Sequence, residues 1–186
     1  MSRNGLLVID VQNDYFPGGR WTLSDMDKAS DNVAKLIAAA RTAGHPVFHV
    51  QHIMEETDSP FFTRDTVGAE VHAKAKPAPG ETLVVKNQVN AFLGTDLKAK
   101  LDAAGVQDLI VCGAMSHMCV DAATRAAADF GYKVTLAHDA CATRDAEFNG
   151  IAVPAAQVHA SFMSALGSYA KVVSTADVIN TTLKPA

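Results

Sequence analysis

With 186 residues, 48% of them hydrophobic, the chain is long enough to bury one sizeable core and short for two. Sixteen Lys and Arg against twenty Asp and Glu leave a formal charge of −4 and no basic run, which excludes nucleic acid and anionic membrane surfaces as partners chosen by charge. No stretch approaches the roughly 20 apolar residues of a membrane span, MSRNGLLVIDV is too short for a signal-peptide core, and three cysteines are an odd set for a disulfide framework, so the expectation is one cytoplasmic domain over residues 1–186.

In chain order, LLVIDV (Leu6–Val11) has the length and composition of a strand, and Asp25–Gly44 carries Val33, Leu36, Ile37 and Ala40 at helical spacing before a terminal glycine. PVFHVQ (Pro46–Gln51) is the second predicted strand. An irregular stretch from Ile53 to Gly80 follows, long enough to be a lid or a subunit contact. TLVVK (Thr82–Lys86) is the third strand, Thr95–Gly105 a helix with Thr95 as N-cap, and DLIVCG (Asp108–Gly113) the fourth strand. Met118–Gly131 is an alanine-rich helix, KVTLAH (Lys133–His138) the fifth strand, Pro154–Gly167 a helix with proline in its first turn, KVVS (Lys171–Ser174) the sixth strand and Ser174–Leu183 a short closing helix.

Near-continuous apolar strands alternating with helices predict an α/β fold: a doubly wound, mainly parallel six-stranded sheet covered on both faces. Ligands of such sheets bind beyond the C-terminal strand ends. There the sequence gathers Asp10, His49 to His52, Lys86, Gly113 to Cys119, and His138 with Asp139.

Three of these residues have chemistry to share. A carboxylate in the apolar first strand needs a partner, and Asp10 invites either a structural hydrogen bond to a nearby turn or pairing with a catalytic cation. Lys86 closes an apolar strand at the same edge, where its ammonium can sit beside that carboxylate and lower the pKa of a thiol. Cys119 begins the helix after the fourth strand, where free N–H groups favour an anion, which makes it the candidate nucleophile. Cys112 lies within a strand and reads as a small core residue, and Cys141 is given no role. The turn after the first strand is QNDYFPGG, lacking the G-x-G-x-x-G of dinucleotide-binding proteins, and Cys112 and Cys119 lack the C-x-x-C spacing of dithiol oxidoreductases.

LLVIDVQNDY, VVKNQVNAF, CGAMSHMCVDAATRAAADFGYKV and DACATRD, in this order and spacing, resemble the isochorismatase-like cysteine hydrolases, the family that includes the nicotinamidase-related amidohydrolases. The resemblance covers nearly the whole chain. It implies a Rossmann-like three-layer α/β/α fold, an Asp10–Lys86–Cys119 triad, a cis peptide at Ala114–Met115, an oxyanion hole from the N–H groups of Met115 and Cys119, no cofactor, a small-molecule substrate, and a dimeric or tetrameric homo-oligomer. Some nicotinamidases hold a metal through an Asp-x-His pattern after the second strand. This chain reads HVQHIMEE there, with Gln51 and no aspartate, and strand alternation turns His49 and His52 to opposite faces, so no metal is expected. Isochorismate-cleaving relatives do not need the cysteine, and its presence points instead to cleavage of an amide-like C–N bond through a thioester. The alternatives are an isochorismatase-type hydrolase of another small substrate and a non-catalytic binding protein that keeps the fold. Gln12, Phe16, Trp21, His52, Asn87, Phe92 and His117 are the expected substrate-binding residues.

Overall fold

The structure is a computed structural model that describes residues 3–56 and 58–183. Its strands and helices are β1 (Arg3–Ile9), α1 (Met26–Thr42), β2 (Val47–His52), β3 (Thr82–Lys86), α2 (Leu97–Ala103), β4 (Val106–Ala114), α3 (Cys119–Asp129), β5 (Lys133–Ala142), β6 (Ala146–Phe148), β7 (Ile151–Val153), α4 (Ala155–Leu166), β8 (Ala170–Val173) and α5 (Thr175–Thr181). Six strands form one parallel sheet in the order β3-β2-β1-β4-β5-β8. The chain therefore winds outward from β1 in one direction, then crosses back to β4 and winds in the other. The crevice at that reversal lies between the C-terminal ends of β1 and β4.

Strand alternation divides the core into two layers. Leu6 and Val8 of β1 pack with Val33, Leu36, Ile37 and Ala40 of α1 and Val178 of α5 on one face. Leu7 and Ile9 pack with Leu97 and Leu101 of α2, Val120 and Ala123 of α3, and Leu166 of α4 on the other. Cys112 belongs to the first layer and Cys119 to the second, so the sheet separates them and all three cysteines are free.

Several boundaries differ from the sequence reading for local reasons. β1 stops at Ile9 because Asp10 turns into the left-handed region at φ 50, so the carboxylate sits just beyond the strand and not within it. α2 begins at Leu97, with Asp96 in the N-cap position and Thr95 Oγ1 accepting weakly from the Leu97 N–H at 3.3 Å. β5 runs on to Ala142 past an irregularity in its pairing with β4, which carries Cys141 and Ala142 alongside Gly113 and Ala114. The antiparallel β6–β7 hairpin was not anticipated; its turn is Asn149-Gly150, both at positive φ.

Gly113 fixes the approach of β4 to β1. At φ 123 it is in a conformation few other residues adopt, and a Cβ there would stand 2.0 Å from the Ile9 carbonyl oxygen. The two strand ends that carry the candidate site therefore meet only because this position lacks a side chain.

Candidate active site

Three elements deliver Asp10, Lys86 and Cys119 to one buried point. Asp10 follows β1, Lys86 ends β3 and Cys119 opens α3, and each is almost wholly enclosed. Lys86 Nζ stands 2.9 Å from Asp10 Oδ2 and donates to Cys119 Sγ at 3.2 Å. The same ammonium donates to His52 Nδ1 at 2.9 Å and to the Gln88 carbonyl at 3.0 Å. Neither Asp10 Oδ1 nor His52 Nε2 has a hydrogen-bond partner among the described residues.

The electrostatics follow from that packing. Burial disfavours charge on Lys86, but Asp10 and Cys119 outweigh it and hold the ammonium above the ordinary lysine range. Burial and then the Asp10 carboxylate push the Cys119 thiol well above its usual range, with Lys86 opposing. The ammonium of Lys86 thus rests beside a neutral Cys119 thiol. His52 is pushed down by burial and by Lys86, so its imidazole is neutral and accepts from the ammonium through Nδ1.

The ligating atoms of Asp10, His52 and Cys119 lie within 4.8 Å of one another, a spacing that by itself would suit a metal ion. The Lys86 ammonium contacts all three groups, and a second cation among them would face it directly. This donor set does not fit a metal. His49, on the opposite face of β2, is engaged with Glu81 at 2.9 Å.

The turn between β4 and α3 completes the arrangement. The Ala114–Met115 peptide bond is cis. The Met115 carbonyl accepts from Met118 and Val120, while the Met115 N–H has no backbone acceptor among the described residues and the Cys119 N–H lies in the first turn of α3, where no intrahelical acceptor exists. Two N–H groups of this turn are therefore without a backbone acceptor among the described residues.

The expected substrate-binding residues fare unequally. Gln12 is fully buried and its amide is spent on the backbone: Nε2 donates to the His52 and Ala69 carbonyls at 2.8 Å, and Oε1 accepts from the His52 N–H at 2.8 Å. It locks β2 to the segment beyond it and has no donor left for a ligand. His52 serves as the Lys86 partner described above. Asn87 is exposed and its amide donates to the Ile53 carbonyl at 2.8 Å. Phe92 is partly buried against the core layer that holds Cys119 and packs on Phe130, at the C-terminal end of α3, with ring centroids 5.3 Å apart. Phe16 is buried and stacks on His72 at 3.6 Å. Trp21 lies between Phe61 at 4.8 Å and the Arg144 guanidinium at 4.2 Å, and lines a cavity with Arg20, Arg144 and Asp145 that none of the triad residues borders. His117, two residues before the sulfur, pairs its Nδ1 with Thr143 Oγ1 at 2.6 Å.

Sequence reasoning missed the residues that roof the site. Tyr15 is buried against Phe62 at 4.6 Å, and its phenol is pushed well above its usual range by burial and then by Asp10 and Cys119. Asp14 ties the 53–80 segment down: its Oδ2 accepts from the Phe62 N–H at 2.7 Å, its Oδ1 accepts from the Arg20 N–H at 3.1 Å, and a Cβ at Gly68 would fall 2.2 Å from that carboxylate. An acidic residue in the turn after β1 was the available signal.

Comparison with known proteins accords with this geometry. The isochorismatase domain pattern matches residues 4–177. The isochorismatase family protein YddQ of Bacillus subtilis is 49% identical over 171 residues, 91% of this chain and 95% of that protein. A streptothricin hydrolase of Streptomyces noursei is 38% identical over 179 residues, covering 94% of this chain and 63% of that protein. The crystal structure of an isochorismatase from Pseudomonas putida superposes with a TM-score of 0.89 at 39% identity, over 94% of this chain and 89% of that one. The chain belongs to the isochorismatase family and is an isochorismatase-like hydrolase.

Proposed function

We propose that the protein is a cysteine hydrolase that cleaves a small amide-like C–N bond through a thioester on Cys119. The observation that carries the reading is the single buried contact set in which the Lys86 ammonium reaches both Asp10 Oδ2 and Cys119 Sγ. A thiol, a base and a fixed positive charge within hydrogen-bond reach are the parts of an activated nucleophile.

In this reading Asp10 takes the thiol proton as sulfur bonds to the substrate carbonyl carbon. The carbonyl electron pair moves to oxygen, and the N–H groups of Met115 and Cys119 receive that oxyanion. When the intermediate collapses, the C–N bond breaks and the departing nitrogen takes the proton from Asp10, leaving the thioester. Water then gives a proton to Asp10 as it attacks the thioester carbon. The thiolate leaves and recovers the proton, and the acid is released. Lys86 stays protonated throughout, compensating first the carboxylate and then the transient thiolate, so no second cation is called for. Streptothricin hydrolase, similar over 94% of this chain and 63% of its own length, supports the hydrolytic class but not that relative's substrate for this protein.

The reading carries two further expectations, a cytoplasmic location and a homo-oligomer. Among the described residues no helix is long and apolar enough to cross a membrane. Leu83 and Val85 on the edge strand β3, and Phe148 and Ile151 at the β6–β7 turn, are exposed apolar side chains of the kind an assembly covers. The functional test is Cys119→Ala assayed against a panel of small amides. Turnover of any substrate accepted by the unsubstituted protein should fall by about 10⁴-fold or more. Retention of turnover by the variant would remove the cysteine from the mechanism.

A further inference from the structure

The turn that presents the Met115 N–H is held from behind by a contact that the triad does not use. Ser116, the next residue, is wholly buried. Its N–H donates to the Ala142 carbonyl at 2.9 Å, its hydroxyl lies 3.2 Å from the same carbonyl, and Oγ pairs with His159 Nδ1 at 2.8 Å. His159 comes from α4, an element that supplies none of the triad. On the other side His117 is tied to Thr143. Thus Ser116 and His117, between the oxyanion donor and the sulfur, are each anchored to a residue of β5, of the segment after it, or of α4.

The serine–imidazole pair is partly buried, with the serine side wholly enclosed. His159 is half-buried and also lines a cavity of about 510 Å³ with His138, Cys141, Ala142 and Thr143, so the scaffold of the turn is itself the wall of that cavity. A peptide N–H stabilises an oxyanion only when it is fixed before charge develops, and misplacement by about 1 Å costs on the order of 100-fold. The peptide carrying the Ser116 N–H joins the one carrying the Met115 N–H at the Met115 α-carbon, so holding Ser116 at its N–H and its hydroxyl limits rotation of the turn.

We propose that His159 is a positioning residue for acyl transfer: through Ser116 it fixes the turn from Ala114 to His117 that aims the Met115 N–H at the developing oxyanion. This inference rests on the cysteine-hydrolase reading given above.

The test separates oxyanion stabilisation from nucleophilicity by using two reactions of the same sulfur. Acetylation of Cys119 by p-nitrophenyl acetate passes through a tetrahedral oxyanion, whereas thiolation by methyl methanethiosulfonate does not. His159→Phe and Ser116→Ala should each slow release of p-nitrophenolate by about 10- to 100-fold. The double variant should be no slower than either single one, because both remove the same contact. His159→Asn, which offers an amide near the position of Nδ1, should stay within about threefold of the unsubstituted protein. Thiolation of Cys119 should stay within about twofold in all of them. Equal slowing of both reactions, additive losses, or unchanged acetylation would overturn the positioning role, and Ser116→Ala serves where His159→Phe does not fold. Failure of the unsubstituted protein to carry acetyl on Cys119 would instead sink the cysteine-hydrolase reading, and the inference with it.

Discussion

Two paired carboxylates, the buried Asp10 and the partly exposed Glu81, bracket β2 and show what separates a structural ion pair from a reactive one. Glu81 is saturated: it accepts from Arg41 at 2.7 and 2.8 Å, from the Ala78 N–H at 2.8 Å, and pairs with His49 at 2.9 Å. These partners, Arg41 first, hold its carboxyl down to about 2. Asp10 pairs with Lys86 and leaves Oδ1 buried without a hydrogen-bond partner among the described residues. His49 and His52 divide in the same way, one engaged by the closed cluster and the other by the open one. A carboxylate with every acceptor site filled has nothing further to bind, whereas one with a free oxygen beside a thiol is able to take a proton.

The contrast yields its largest expected effect at Asp10. Asp10→Asn keeps the shape but removes the base and strands the Lys86 ammonium, so turnover should drop by about 10³- to 10⁴-fold. Chemical denaturation should also show a loss of about 3–5 kcal/mol, the usual cost of breaking a fully buried pair. If the variant keeps both activity and stability, Asp10 is no more than a cap for the turn after β1.

Glu81→Gln should do the opposite. It weakens the Arg41 and His49 contacts and should cost about 1–3 kcal/mol, with turnover within about twofold. Its pH dependence has a definite sign. The folded carboxyl lies near 2 and the usual glutamate value near 4.5, so the stabilisation is present above 4.5 and is lost as pH falls through that window. The stability gap between Glu81→Gln and the unsubstituted protein should therefore narrow between pH 4.5 and 2, as followed by denaturant melts. A gap that widens toward acid would assign the stabilisation elsewhere.

How much of this was legible in the sequence depends on the range of each interaction. Asp10 and Lys86 betray themselves locally, as charges at the ends of apolar strands, and α/β alternation then puts both at one edge with Cys119. Partners that depend on tertiary register did not show. Gln12 looked like a pocket residue, yet its amide is consumed by a backbone 40 residues away. Phe92 follows Lys86 closely in sequence, but the turn after β3 sends its ring to Phe130. The Ser116–His159 pair joins residues 43 apart on elements that packing alone brings together. The β6–β7 hairpin did carry a local signal, Asn149-Gly150, but its strands are three residues each, too short for an alternation pattern to register.

A smaller effect distinguishes the two neighbouring environments of sulfur. With Cys119 raised by burial and by Asp10, its alkylation by iodoacetamide should keep accelerating with pH beyond 9, the ordinary thiol value. Asp10→Asn, by removing the negative neighbour, should shift that rise toward lower pH. A plateau at or below neutral pH in the unsubstituted protein would mean that the resting sulfur is already a thiolate.

The most direct measurement is intact-protein mass spectrometry of the enzyme quenched in acid during steady-state turnover of an accepted amide, followed by peptide mapping. The account predicts an added acyl mass on Cys119 that disappears when substrate is exhausted and never forms in Cys119→Ala. Turnover with no adduct, or with the acyl group on another residue, would contradict it.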